Sequence, residues 1–436
     1  MKPICVISCP IDTFSGYGAR SRDFVNSLIQ LRGEEWHIKI LPQRWGDCPW
    51  NYLSKDDPLR QRFINKVEQK PDVWIQITIP EEFQPLGNNN IGVTAGIEST
   101  LYHANWIEGM NRMHVTLISS EHSKKAALYT SYDKLNKQTN QKEGELKVEK
   151  PIEVLFEGLD LDTYHKIQNP KSEILKDVSE EFCFLFTGHW LTGDFGEDRK
   201  NVPKMIKTFL ETFTTPSKKK PALILKTNQV NYSLIDRENI IKLINDLRNK
   251  YATSNSPNIY LLHGEMTNEE MNLLNNDPKI KAFVSFTKGE GFGRPLIEAA
   301  ITGKPIITTN WSGHIDFLHP EYNILIGGEL KNIHESAANK WLMKESQWFD
   351  INTDVASRAL KDVYKHYKKY LEKSLKQTQY IKNNFSLNKM TELLNKYLPI
   401  VEAAPQMQQL KLPNLKKEKT PERVKPNLPK LKKIEA

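Results

Sequence analysis

Four cysteines in 436 residues are too few and too scattered for a disulfide framework or a zinc site. Cys5 and Cys9 fall at opposite ends of one expected strand, too far apart to bridge. No CxxC and no Cys/His cluster occurs, and no metal is expected in the site. No apolar run approaches the ~20 residues a membrane-spanning helix needs. The opening MKPICVISCP enters a strand directly, without signal-peptide architecture. These absences lead us to expect a reducing, cytoplasmic setting. A further absence concerns Gly16-Tyr17-Gly18 after the first strand. It lacks the third glycine of a dinucleotide fingerprint, and no acidic residue clearly ends the next strand, which disfavours NAD.

The length suits two domains, each with its own core. The formal charge is +8. Residues 405–436 hold nine Lys/Arg and three Asp/Glu, hence +6, which leaves +2 for the body. This tail is rich in lysine and proline, lacks aromatics, and repeats Pro-Asn-Leu at Pro413 and Pro426. It cannot build a core and reads as disordered. A basic tail can contact nucleic acid, an acidic protein or an anionic membrane surface, where the chain would be peripheral; equally, it can be only solubilising.

What is present is most concentrated from Phe283 to Gly313, FVSFTKGEGFGRPLIEAAITGKPIITTNWSG. Ala282 to Phe286 reads as a buried strand. A turn with Gly289, Gly291 and Gly293 follows, and Glu290 lies between the first two. Pro295 suits the first position of a helix and Gly303 its C-terminal cap. Pro305 to Thr309 reads as a second strand, ahead of a tight turn at Ser312-Gly313. A glycine turn feeding a helix start offers free backbone N–H groups to an anion, such as a diphosphate. Glu290 and Glu298 are acceptors only, which suits the hydroxyl donors of a sugar or ribose. Amides for phosphate beside carboxylates for hydroxyls suggest a nucleotide-sugar.

Elsewhere, strands at 4–8, 37–41, 73–79, 91–94 and 115–119 alternate with helices, one of them from about Ala19. This implies a parallel, doubly wound sheet. Glu98 falls at a strand's C-terminal end, where such folds bind ligands. It reads as an acceptor- or sugar-contacting group, or as an N-cap or surface carboxylate. His103 and His122 are further candidates, or ordinary structural histidines. Residues 133–150 read as an exposed insertion. A second series starts near Glu181, with strands at 183–187, 222–227, 259–262 and 323–327. Lys226 lies near the end of one of them. Arg199 and Lys200 precede a helix carrying Met205, Ile206, Phe209, Leu210 and Phe213 inward; the two cations suit phosphate or solvent. Thr267 and Glu270 form a capping box, and 355–397 is helical in pattern.

The run Gly-Glu-Gly-Phe-Gly-x-Pro-x-x-Glu-Ala, with seven residues between Glu290 and Glu298, resembles the signature of family 4 glycosyltransferases of the GT-B fold. These are retaining enzymes that use nucleotide-sugar donors. The resemblance covers most of Met1 to about Ile400; its second-half motifs are specific and its first-half motifs loose. It implies an α/β fold of two Rossmann-like parallel-sheet domains facing a cleft. The implied units are 1–165 for the acceptor, 166–350 for the donor, 351–404 as helices packing back on the first domain, and 405–436 as tail.

The resemblance also implies site roles. Glu290 lies near the donor sugar and Glu298 holds the ribose. Gly291, Phe292 and Gly293 contribute amides, and the loop of Gly16 and Gly18 approaches the donor from above. Arg199 and Lys200 aim at the diphosphate. His189 stands where the family usually has Arg, so Arg199 replaces that group or His189 contacts phosphate itself. Lys226 and the loop His263-Gly264-Glu265-Met266 belong with the donor, the loop lying beside the nucleobase. Arg294 stands where the family most often has an uncharged residue; it contacts the diphosphate or a donor carboxylate, or faces solvent. Asp160-x-Asp162 resembles the end of the first domain, not a metal-binding D-x-D.

The expected function is transfer of a hexose or pentose from a UDP- or GDP-sugar to a hydroxyl with retention, without a metal or a tightly bound cofactor. The acceptor would be a glycan or lipid-linked glycan. One rival is a DNA-modifying enzyme acting on a hydroxylated base; another is a non-catalytic GT-B-like binding subunit. Donor sugar, donor base, acceptor and oligomeric state are not encoded legibly.

Overall fold

The computed structural model describes residues 2–401 except 47 and 137, so the basic tail at 405–436 lies outside the described residues. Two six-stranded sheets, each wholly parallel, organise the chain. The first is built from β1 (Ile4–Cys9), β2 (His37–Pro42), β3 (Val73–Ile77), β4 (Asn89–Thr94), β5 (Val115–Ile118) and β8 (Ile152–Val154), in the order β2-β1-β3-β4-β5-β8. Between its last two strands stands an antiparallel hairpin, β6 (Tyr132–Leu135) and β7 (Lys142–Leu146). The expected insertion is therefore exposed but folded. The second sheet comprises β9 (Cys183–Thr187), β10 (Ala222–Lys226), β11 (Ile259–Leu262), β12 (Ile280–Ser285), β13 (Ile306–Thr309) and β14 (Ile324–Ile326). Its order is β11-β10-β9-β12-β13-β14. This is the GT-B arrangement of two Rossmann-like sheets.

The strands are apolar because each sheet is covered on both faces. Along β9, Phe184 and Phe186 point to one core, with α4 (Val202–Thr212), α5 (Leu234–Tyr251) and α8 (Thr353–Lys365). Cys183 and Leu185 point to the other, with α6 (Asn268–Asn276), α7 (Arg294–Ala300) and α9 (Tyr367–Asn384). The first sheet packs α1 (Gly16–Arg32) on one face, and α2 (Ala104–Arg112) and α3 (Glu121–Tyr129) with a separate core.

The single helical stretch expected over 355–397 is three helices, broken at His366 and at Phe385–Ser386. The last, α10 (Leu387–Tyr397), crosses to the first sheet. There Thr391 Oγ1 donates to Ser27 Oγ of α1 at 2.8 Å. A second hairpin, β15 (Gly328–Asn332) and β16 (Gln347–Ile351), extends from the second half. Among the described residues, no helix is long and apolar enough to cross a membrane.

Candidate active site between the two sheets

In the second sheet the connections reverse between β9 and β12, and ligands of doubly wound sheets bind at such a point, outside the strand C-termini. The loop after β9 carries Arg199 and Lys200; the loop after β12 carries Glu290. They meet. Lys200 Nζ lies 2.5 Å from Glu290 Oε1, and Arg199 Nη1 lies 3.4 Å from Glu290 Oε2. Arg199 Nη2 reaches across to Glu98 Oε1 of the first half at 3.4 Å. Glu98 is therefore neither an N-cap nor an isolated surface carboxylate. Burial opposes ionisation of Glu290, but Lys200 and Arg199 outweigh it and hold the carboxyl down at about 2. Burial lowers the pKa of Lys200, against the attraction of Glu290.

The glycines of the turn are required by close approach. A Cβ on Gly289 would lie 1.9 Å from the Glu98 carbonyl oxygen, and one on Gly291 would lie 2.2 Å from that of Ala95. Ser119 Oγ of the first half also donates to the Gly291 carbonyl at 3.0 Å. Gly293 sits at φ +102°, a conformation that favours glycine. Among the described residues, no acceptor meets the amides of Gly291, Phe292 or Gly293. The Phe292 side chain points away, into the core against Phe317.

The helix after the turn is shorter than expected. α7 has seven residues, and a tighter hydrogen-bonded turn carries the chain from Ile301 to Gly303 at φ +80°. Its dipole is correspondingly small, so positive potential here comes mainly from Arg199, Lys200 and the free amides.

Arg294 does not simply face solvent. Its guanidinium stands among three carboxylates: Asp23 at 2.8 Å, Glu157 at 3.5 Å and Glu298 at 3.5 Å. Asp23 lies on α1 and Glu157 just after β8, so Arg294 ties the turn to the first half. Glu298 is 9% exposed, and burial, only partly offset by Arg294, raises its pKa.

His189 is on the rim. Its pKa is depressed, by desolvation first and then by the positive charges of Lys200, Arg199 and Lys226. Lys226 Nζ donates to the Gly264 carbonyl and lies 5.1 Å from the Tyr232 ring centroid. The adjacent Glu265 is exposed, and Met266 packs against a core.

Gly16 and Gly18 are not a loop before a helix at Ala19. They form the first turn of α1, capped by Ser15, whose Oγ accepts from Gly18 N. That turn still faces the site: Tyr17 Oη accepts from Ala95 N at 3.1 Å, and Ala95 touches Gly291. His103 is the N-cap of α2. His122 is half-buried against Trp311, whose ring abuts Gly289, and desolvation lowers its pKa to about 4. Asp160 accepts from the Asp162 amide in a turn, and Asp162 is exposed. Among the described residues, no group of three acidic, His or Cys side chains is arranged to hold a metal.

Sequence reasoning missed Ser312 as more than a turn residue. Its Oγ accepts from Glu290 N at 2.9 Å, while Gly313 N donates to the Glu290 carbonyl at 2.9 Å. Ser312 holds φ 79°, ψ −165°, a region nearly confined to glycine, so strain is retained directly behind Glu290. The Ser-Gly pair after β13 was the only sequence signal.

Comparison with known proteins places this fold. No protein-family model and no curated protein matches the chain. Solved structures do match. HepE (Alr3699) of Anabaena, crystallised in complex with UDP and glucose, is 11% identical with a TM-score of 0.57, covering 91% of this chain and 99% of its own. A glycosyltransferase from Rickettsia africae is 12% identical with a TM-score of 0.59, covering 91% and 97%. Sucrose-phosphate synthase from Thermosynechococcus elongatus is 10% identical with a TM-score of 0.55, covering 91% and 98%. The chain shares their two-sheet architecture over nearly its whole described length.

Proposed function

We propose that this protein is a glycosyltransferase that moves a sugar from a nucleotide diphosphate donor to a hydroxyl acceptor, with retention of anomeric configuration. The observation that carries the reading is the meeting of Arg199, Lys200 and Glu290 at the switch point, next to the unpartnered amides of 291–293. Cations and amides suit a diphosphate, and a carboxylate beside them suits sugar hydroxyls. The fold shared with nucleotide-sugar enzymes supports it as analogy.

In this reading the donor diphosphate takes Arg199 and Lys200 as partners, and their pairs with Glu290 loosen. Freed in part, Glu290 accepts from donor-sugar hydroxyls. The sugar–phosphate bond breaks, negative charge builds on the leaving diphosphate, and the fixed cations and amides stabilise it. The leaving phosphate oxygen takes the acceptor hydroxyl's proton as the new glycosidic bond forms on the same face. Glu298, oriented by Arg294, accepts from the ribose hydroxyls. Glu98 lies on the acceptor side. Lys226 and Gly264 to Met266 border the base, with His189 at the phosphate edge. A metal is not part of the scheme, because Arg199 and Lys200 carry the charge-stabilising role.

Donor hydrolysis screened across UDP-, GDP- and ADP-sugars tests this without an acceptor. Release of free sugar from one donor class, undiminished by EDTA, is expected. No hydrolysis and no binding of any of the three would overturn the reading, and activity lost to EDTA and restored by manganese would overturn the metal-free scheme.

A further inference from the structure

The β15–β16 hairpin and its connecting segment, residues 328–351, engage both halves of the molecule. On the second half, Trp348 is fully buried under the Lys288 ammonium, 5.1 Å from the ring centroid. Asp350 gathers three lysines, Lys204 at 2.6 Å, Lys331 at 3.0 Å and Lys288 at 3.9 Å. Lys288 directly precedes Gly289 and Glu290. Its amide donates to the Arg199 carbonyl at 2.7 Å, and its own carbonyl accepts from Phe349 N at 2.9 Å. One residue thus joins the hairpin to both loops of the candidate site.

The same segment also reaches the first half, at Thr100, Trp106, His103 and Glu81. Thr100 N donates to the Gln347 carbonyl at 2.9 Å, and Gln347 N donates back to Thr100 Oγ1 at 2.9 Å. The Trp341 ring packs on Trp106 at 5.5 Å and edge-on to His103 at 6.2 Å, joining the core behind α2 and α3. Lys340 pairs with Glu81 at 2.8 Å, an exposed bridge that adds little by itself. Thr100 lies two residues after Glu98. The loop from Ala95 to Thr100 is therefore held by Tyr17 at Ala95, by Ser123 at Ile97, by Gly289 at Glu98, and by Gln347 at Thr100.

We propose that segment 328–351 is a clasp between the halves that sets where the Glu98 loop meets Arg199 and Gly289, with Trp341 and Gln347 as positioning residues. It rests on the proposed function only in taking Glu98 as part of the site. The pinning itself is a property of the unliganded chain. Removal of the clasp releases Thr100 first, since its two hydrogen bonds to Gln347 are what hold that end. The Arg199–Glu98 pair, already long at 3.4 Å, then loses its register.

Amide hydrogen exchange on the full chain tests this without donor, so the result stands apart from the donor assignment. The variants are Trp341→Ala combined with Lys340→Glu, and the milder Thr100→Val, which removes only the hydroxyl that accepts from Gln347. Truncating a packed tryptophan is expected to speed exchange at 97–102 by roughly tenfold or more, with strands β9 and β12 unchanged. Thr100→Val is expected to speed exchange at Gln347, and Trp341→Phe to keep near-native protection. Wild-type exchange at 97–102 and Gln347 in both the double variant and Thr100→Val would overturn the proposal. So would loss of protection spread evenly over both sheets.

Discussion

Replacing Lys200 by methionine removes a charge from a pair that is almost wholly out of water. The two side chains are 11% and 9% exposed and their charged atoms stand 2.5 Å apart. Deleting one partner of such a pair leaves the other desolvated and uncompensated, and costs several kcal/mol. Arg199 remains 3.4 Å from Glu290 and limits the damage. We therefore expect a loss of about 3 kcal/mol, near the low end for breaking a buried pair. For a unit of about 200 residues that lowers Tm by roughly 6–12 °C. Lys200→Met with Glu290→Gln replaces the pair by groups of similar volume without isolated charge, and should recover all but about 1 kcal/mol. The double variant should still bind donor poorly, because a charge-assisted hydrogen bond to diphosphate is worth about 1.5–3 kcal/mol, or roughly ten- to hundredfold in affinity. Thermal unfolding and calorimetric titration with UDP and GDP read both quantities. A Lys200→Met protein as stable as wild type would refute the buried-pair reasoning. Native nucleotide affinity in the double variant would refute the role of Lys200.

Three further outcomes follow from the same geometry. Glu298→Ala should raise donor Km at least about tenfold while the protein stays folded, since a hydrogen bond to a carboxylate is worth about 1.5–3 kcal/mol; unchanged Km removes the ribose assignment. The Glu290 carboxyl is held at about 2, below its unfolded value of 4.5, so its contribution to stability is fully present above 4.5 and is lost as pH falls toward 2. Acid titration of Glu290→Gln should therefore show a shallower decline in that window, and an unchanged slope would contradict the shift. Gly291→Ala would place a methyl 2.2 Å from the Ala95 carbonyl oxygen; small-angle scattering should show the halves displaced, and wild-type dimensions with native donor binding would show that the contact is not required.

Much of the fold was legible because both sheets are parallel and buried on both faces. Their strands are short apolar runs such as Cys183 to Thr187, which need no partner information to be recognised. Arg199, Lys200 and Glu290 were legible for a related reason: they lie in the loops that leave the C-terminal ends of β9 and β12, the two strands at which the sheet order reverses. What failed was anything whose partner is distant in sequence. Arg294 carries no mark of its contacts with Asp23 and Glu157, 271 and 137 residues away. The clasp was missed because β15 is exposed at every position and so has no apolar pattern. The Gly16-Tyr17-Gly18 run was misread because two glycines normally weaken a helix start. The Ser15 cap, and the space that Gly18 leaves for Thr13, decide otherwise. Gly303 does close the helical run, at φ +80°, but through a last turn whose hydrogen bonds from Thr302 and Gly303 are tightened to three residues.

The most direct test of the central claim is a crystal structure of the chain soaked with UDP and, separately, with GDP. The account predicts a nucleotide between the two sheets, its diphosphate on Arg199, Lys200 and the amides of 291–293, and its ribose hydroxyls on Glu298. A nucleotide bound elsewhere, or bound there with Glu298 and Lys200 out of reach, would contradict it.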